Sequence, residues 1–284
     1  MIFHHVTDWD NAYANGANIA GGNRWPEAWV APAQAYRDTL AAKGRAKLGL
    51  TYGHKPRNRF DLFMPEGEVK GLVVFVHGGY WHSLDNSYWS HLAAGANAHG
   101  FAVAMPTYTL CPEVRITDIV VEVASAIEAA GTLVTGPIHL TGHSAGGHLV
   151  SRMISTTSPL KPELRARIGN VVSISGVHDL RPMMRTKLNE KLNIDVEEAT
   201  RESPVLLEPL PGARLFCWVG GNERAEFIRL NALLANIWTG LGAHTGSYAE
   251  PDRHHFDVTD GLAEPSHPLT MTLLSKSAGQ LLDF

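Results

Sequence analysis

Gly142-His143-Ser144-Ala145-Gly146 sets a serine between glycines, after the short run Pro137-Ile138-His139-Leu140-Thr141 and before a helix-forming stretch from Gly146 to Ile154. A serine hydroxyl is a poor nucleophile until it is lifted clear of the backbone, placed beside a base and flanked by N–H groups that receive an oxyanion. A sharp strand-to-helix turn does the lifting, and glycines on both sides of Ser144 permit it. The residues therefore point to attack by Ser144 on a carbonyl carbon.

His77-Gly78-Gly79-Tyr80-Trp81 closes the apolar run Gly71-Leu72-Val73-Val74-Phe75-Val76, which reads as a strand buried on both faces. A His-Gly-Gly loop at the end of such a strand supplies one oxyanion donor, and the residue after the serine supplies another. Here these are the N–H groups of Gly78 or Gly79 and of Ala145. Tyr80 and Trp81 are the candidate aromatic walls of a substrate pocket, with packing against the core as the plain alternative.

The carboxylate and the base follow the serine in chain order. Leu215-Phe216-Cys217-Trp218-Val219 reads as a strand, and Glu223 lies just past it in Gly220-Gly221-Asn222-Glu223; Glu226 competes for the same role. For the base, Pro251-Asp252-Arg253-His254-His255-Phe256-Asp257 offers two neighbouring histidines, and spacing alone does not choose between them. His143 is expected to support the site from behind, and His77 to brace the oxyanion loop. The chain holds 15 histidines. Even so, His139, His143 and His148 span a strand, a turn and a helix and do not share one face as a metal pair would. No metal and no cofactor is expected.

These groups need a scaffold. After strand-like segments at 46–52 and 59–64, which alternate apolar and polar residues and end at Pro65-Glu66-Gly67, strands and helices alternate, as they do around a mostly parallel sheet. Strands are predicted near 72–76, 101–105, 138–141, 171–175, 215–219 and 244–247, and helices near 88–99, 116–130, 146–154, 223–239 and 269–282. The first 45 residues read as an extension, helical only around Ala33 to Lys43, whose Trp9, Tyr13, Trp25 and Trp29 are expected to pack onto the core. Residues 179–209 break the pattern with prolines and mixed charge and are expected to form a small cap.

With 284 residues, 44% of them hydrophobic and 18% charged, the chain is long enough for one α/β domain spanning 1–284 with a large core. Lysine plus arginine is 24 against 28 aspartate plus glutamate, a net charge of −4 with no basic cluster, which argues against nucleic acid and anionic membranes and for a small-molecule substrate. The N-terminus has no basic segment followed by an apolar one, and no run is long enough to span a membrane, so a cytoplasmic location is expected. Cys111 and Cys217 lie in apolar surroundings and are expected to be small buried residues rather than a disulfide. Oligomeric state is not read from these features.

Taken together, the motifs resemble those of the kynurenine formamidase (arylformamidase) family of α/β-hydrolases. The matching pieces are Tyr52-Gly53, Asp61-Leu62-Phe63-Met64-Pro65, His77-Gly78-Gly79-Tyr80-Trp81 and Tyr108-Thr109-Leu110-Cys111-Pro112. They continue, in the family's order, through Gly142-His143-Ser144-Ala145-Gly146-Gly147-His148-Leu149, Ser175-Gly176-Val177-His178-Asp179-Leu180, Glu223-Arg224-Ala225-Glu226-Phe227 and His255-Phe256-Asp257. The resemblance implies the α/β-hydrolase fold, Ser144 as nucleophile, His255 as base and Glu223 as the acid. It also implies hydrolysis of an aryl formamide, N-formyl-L-kynurenine being the family's substrate, with small esters and other amides as alternatives. The family usually has aspartate where this chain has Glu223. One extra methylene means that the histidine must be held from a different backbone position.

Overall fold

The computed structural model describes residues 5–275. Eight strands run β1 Ala46–Thr51, β2 Arg59–Phe63, β3 Gly71–Val76, β4 Phe101–Pro106, β5 Ile138–His143, β6 Ile168–Ile174, β7 Arg214–Gly220 and β8 His244–Glu250. They form one sheet in the order β1-β2-β4-β3-β5-β6-β7-β8. β1–β2 and β2–β4 are antiparallel and every other pair is parallel. Each strand falls on its predicted segment, and the antiparallel pair stands at the N-terminal edge.

The helices are α1 Trp9–Tyr13, α2 Trp25–Ala42, α3 Ala94–Ala98, α4 Ile116–Leu133, α5 Ala145–Arg152, α6 Pro162–Arg165, α7 Asn189–Leu192, α8 Val196–Glu202, α9 Ala225–Gly240 and α10 Pro268–Leu274. Side chains alternate across β3. Leu72, Val74 and Val76 enter a core layer shared with α4, α5 and α9, whereas Val73 and Phe75 enter a second layer with Trp29 and Leu40 of α2 and Leu269 and Leu273 of α10. Both faces are covered, which is why β3 reads as unbroken apolar sequence instead of an alternating one. Among the described residues no helix is long and apolar enough to cross a membrane.

Three expectations about helices change. α2 begins at Trp25 and not near Ala33. Pro26 sits in its first turn, where a missing N–H is harmless. Pro32 lies inside the helix, and burial of Trp29, Ala33, Arg37 and Leu40 along one face holds the helix through the hydrogen bond that Pro32 cannot make. Residues 88–99 do not form one helix: two short 3-10 turns, Asn86–Tyr88 and Ser90–Ala93, precede α3. Arg37 from α2 donates to the carbonyl of Ser87 and to Ser90 Oγ, taking an acceptor that a continuous helix would use. The last helix ends at Leu274, and the remainder of its predicted span, residues 276–282, lies outside the described residues.

The segment expected as a cap folds into α7, α8 and single turns. Ion pairs to two buried carboxylates hold α8 down. Glu198, fully buried, accepts from Arg115 at 2.7 Å, and Glu202 accepts from Arg152 at 2.8 Å with both side chains buried. Breaking one side of such a pair strands a charge, so these contacts fix position more than they add stability.

Candidate active site

Ser144 stands between β5 and α5 at φ 55°, ψ −114°, a conformation that a side chain rarely adopts. Its N–H donates to Ile174 O at 2.8 Å and its carbonyl accepts from His148 N–H at 3.1 Å. The flanking glycines are sterically required. A Cβ on Gly142 would lie 2.4 Å from Gly146 O, and one on Gly146 would lie 1.9 Å from Val76 O. The turn is therefore wedged against the end of β3, where the His-Gly-Gly loop begins.

That loop leans on the serine. A Cβ at Gly78 would come within 2.9 Å of His143 O and 3.1 Å of Ser144 Cβ, and Gly79 takes φ +109° with Ser83 O in the space a side chain would need. Ala145 is the first residue of α5, so its N–H has no acceptor within the helix. His77 is stacked between Tyr108, ring centroids 4.3 Å apart, and Trp89 at 5.8 Å, and its Nδ1 lies 2.7 Å from Gly78 O. Burial lowers its pKa to about 4, so the ring is neutral and Nδ1–H donates to that carbonyl. The bond fixes the peptide plane that carries the Gly79 N–H.

Glu223, just past the end of β7, meets His255 from the loop that follows β8. His255 Nδ1 lies 2.6 Å from Glu223 Oε2, and both side chains are buried. The second carboxylate oxygen accepts from Ser175 Oγ at 2.5 Å and from Gly220 N–H at 2.8 Å. The extra methylene of glutamate is used here, since it lets the carboxylate fold back over the end of β7 to the Gly220 N–H. Glu226 faces elsewhere: it takes Arg229 in a two-pronged pair at 2.8 and 2.9 Å and accepts from Tyr13 OH at 3.1 Å. His254 turns away from the serine as well, edge-on to Trp25 with its Nδ1 3.0 Å from Asp257.

Three residues have a place at the site that the sequence did not assign them. Ser175, at φ 52°, positions Glu223; it lies inside a motif that had been matched, but nothing in its type marks the role. Tyr13 and Trp29, expected only as core packing, are buried and also line the pocket. His143 packs its ring 4.6 Å from that of His255, and its Nε2 donates to His255 O at 2.8 Å. Burial, then the neighbouring His255, pushes its pKa well down, so His143 is neutral and sets no charge against the His255 ring.

A cavity of about 340 Å³ opens over Ser144 and His255, within the range of small-molecule sites. Its walls are mostly apolar and aromatic: Tyr13, Trp29, Tyr80, Trp89, Leu188 and Phe256. Asp10, which accepts Lys187 N–H at 2.6 Å, stands at the rim where α1 meets the 179–209 segment. Of the two expected wall residues, Tyr80 lines the cavity and Trp81 does not. Trp81 is fully buried with its ring edge-on to His148 at 5.2 Å, because left-handed backbone at Tyr80 and Trp81 turns consecutive side chains to opposite sides of the loop. Cys111 and Cys217 are free and buried.

A strand-to-helix serine, a His-Gly-Gly loop and a carboxylate-bound histidine at the C-terminal ends of parallel strands define a hydrolase of the amidase and esterase class. The chain belongs to the alpha/beta hydrolase family, whose model matches residues 73–276. Within it the chain is similar to the kynurenine formamidases of Danio rerio, 26% identical with 80% of each chain covered, and of Salmo salar, 27% identical with 83% of this chain and 84% of the relative covered. The family resemblance read from short motifs thus extends over most of the chain. A crystal structure described as a candidate thioesterase from Silicibacter sp. TM1040 is 46% identical, with a TM-score of 0.89 over 94% of this chain and 98% of that one.

Proposed function

We propose that the protein is a serine hydrolase of aryl formamides that converts N-formyl-L-kynurenine to formate and L-kynurenine. The observation that carries this reading is the buried His255–Glu223 pair beside Ser144, set in a cavity with aromatic walls and bounded by the His-Gly-Gly-Tyr-Trp loop. In this reading His255 Nε2 takes the Ser144 proton as Oγ attacks the formyl carbon. Glu223 holds the imidazole in the Nδ1–H tautomer and stabilises the imidazolium. The N–H groups of Gly78, Gly79 and Ala145 receive the oxyanion. His255 then protonates the leaving aryl amine, and water, activated by the same histidine, frees formyl-Ser144. The anilide nitrogen is a better leaving group than an alkylamine and the formyl carbon is unhindered, so the chemistry demands less than peptide hydrolysis. Tyr80 and the other aromatic walls are positioned to hold the aryl ring.

The similarity to a candidate thioesterase favours a second reading, hydrolysis of a small ester or thioester by the same residues. Comparing kcat/KM on N-formyl-L-kynurenine, p-nitrophenyl acetate and an acetyl thioester separates the two. The formamide should be the best of the three. A protein that turns over only esters and thioesters is not a formamidase.

A further inference from the structure

The cavity over Ser144 is uneven in charge. Among the described residues its lining holds one carboxylate, Asp10, and no lysine or arginine. The rest is aromatic, apolar or neutral polar, apart from the two histidines of the site. Basic residues are close in the chain, yet none lines the cavity. Arg185, just before the lining residue Thr186, lies over the Trp9 ring at 5.2 Å, and Arg181 is paired with Asp179 at 2.8 Å. A negative charge at the mouth and electron-rich ring faces within both favour a cation over an anion.

Asp10 is held in place. Its Oδ1 accepts from Lys187 N–H at 2.6 Å, which ties α1 to the 179–209 segment. α1 is itself fixed, since Tyr13 OH donates to Glu226 at 3.1 Å and Arg224 Nε donates to Asn11 O at 3.1 Å. Asp10 is exposed, and among the described residues no other donor of the chain reaches its carboxylate, so Oδ2 is free to accept. The bond to Lys187 N–H needs one oxygen and no charge, and an asparagine would make it as well. A first turn of five residues gains little from a carboxylate. The structural role therefore accounts for an oxygen at this position but not for its charge.

We propose that Asp10 is a specificity residue, selecting substrates that carry a positive charge at the end remote from the scissile bond. For N-formyl-L-kynurenine, the substrate proposed above, that charge is the α-ammonium, and this part of the inference rests on that proposal. The ammonium sits on the keto arm ortho to the formamide. With the formyl carbon at Ser144 and the ring among the aromatic walls, the arm carries it toward the rim. There an N–H of the ammonium donates to Asp10 Oδ2, a charge-assisted hydrogen bond. A carboxylate at the same point would meet Asp10 with a like charge, so aryl esters and formamides that are anionic at this end are disfavoured.

Two acetate esters of one shape isolate the charge: 3-(trimethylammonio)phenyl acetate and its neutral isostere 3-tert-butylphenyl acetate. The readout is the ratio of their kcat/KM values, cation over neutral. Asp10→Asn keeps an oxygen for Lys187 N–H and removes the charge, and it should lower the ratio about fivefold, the scale of one partly screened ion pair. Asp10→Glu should keep the ratio within about twofold of wild type. Salt at about 0.5 M should lower the wild-type ratio and leave that of Asp10→Asn unchanged. N-formyl-L-kynurenine against its analogue with hydrogen for the α-ammonium should show the same fall in Asp10→Asn. If Asp10 only braces α1, both esters slow together, the ratio stays, and the inference is overturned. A wild type that leaves the formamide intact while the ester ratio falls in Asp10→Asn retires the proposed substrate and keeps Asp10 in its role. A formylkynurenine hydrolase whose ratios are unchanged in Asp10→Asn overturns this inference alone.

Discussion

His255 Nδ1 lies 2.6 Å from Glu223 Oε2, while Glu226, three residues further on, is taken up by Arg229 and Tyr13. Glu223→Gln should lower kcat by about 10³ to 10⁴, because an amide neither fixes the tautomer nor stabilises the imidazolium as a carboxylate does. Glu223→Asp should keep part of the activity, with charge retained and reach shortened. Glu226→Gln should leave kcat near wild type and instead lower stability by about 1–2 kcal/mol, as a buried hydrogen-bonded carboxylate is lost opposite a half-exposed arginine. Steady-state kinetics beside urea denaturation of the same variants checks both halves. A damaging Glu226→Gln with a silent Glu223→Gln would reverse the assignment.

The two neighbouring histidines differ as sharply. His255→Ala should be close to inactive. His254→Ala removes a side chain held by Asp257 and Trp25 and should change kcat less than tenfold. The assay on p-nitrophenyl acetate reports this whatever the natural substrate is.

Much of this was legible in the sequence because it is written in local rules. Period-2 and all-apolar runs marked the eight strands, and glycine spacing marked the turn at Ser144. Chain order then narrowed the acid and the base to Glu223 or Glu226 and His254 or His255, and the family resemblance chose Glu223 and His255. What was not legible depends on contacts between distant segments. The early start of α2 comes from burial of Trp29 against the sheet, and the broken helix at 86–98 from an arginine some fifty residues earlier in the chain. Trp81 looked like a pocket wall because its neighbour is one, and only the backbone turn at φ 57° shows that it points into the core.

Those two aromatics therefore give opposite variant behaviour. Trp81→Ala should destabilise the fold by about 3–5 kcal/mol through the cavity it leaves. Tyr80→Phe should leave stability nearly unchanged and raise KM a few-fold, because it cuts the bond from the Tyr80 hydroxyl to Tyr13 O that ties the loop to the N-terminal wall. Chemical denaturation and KM measured side by side distinguish the roles.

Acid should unfold the protein in a defined window. Burial lowers the pKa of His77, His91 and His139 to about 4 and of His148 and His178 to about 3, so these rings are neutral in the folded chain. Between the ordinary histidine value of 6.5 and about 4 the unfolded chain binds more protons than the folded one, and stability falls as pH falls through that window. Each ring contributes at most about 1.4 kcal/mol per pH unit. Asp260 acts in the opposite sense. Burial, then Asp257, raises its pKa to about 6, so its contribution is present at low pH and is lost as pH rises toward and through 6. His143, also pushed down by burial, adds to the five, and together these histidines outweigh the two carboxyls that burial raises, Asp260 and Asp61, so the unfolding free energy in urea should drop from pH 7 to pH 5. His139→Gln, which can still accept the Asn170 N–H, should flatten that slope by up to one proton. A slope unchanged in this variant would contradict a neutral buried His139.

The central claim is tested most directly by single-turnover reaction of purified protein with N-formyl-L-kynurenine, following kynurenine by absorbance and formate by a coupled assay, for wild type and Ser144→Ala. Wild type should release both products in equal amounts with kcat/KM above its value on p-nitrophenyl acetate, and Ser144→Ala should lose at least about 10³ of that rate while remaining folded. Wild type that leaves the formamide intact while cleaving the ester would contradict the proposed substrate. A Ser144→Ala protein that keeps more than about a tenth of the activity would contradict the nucleophile.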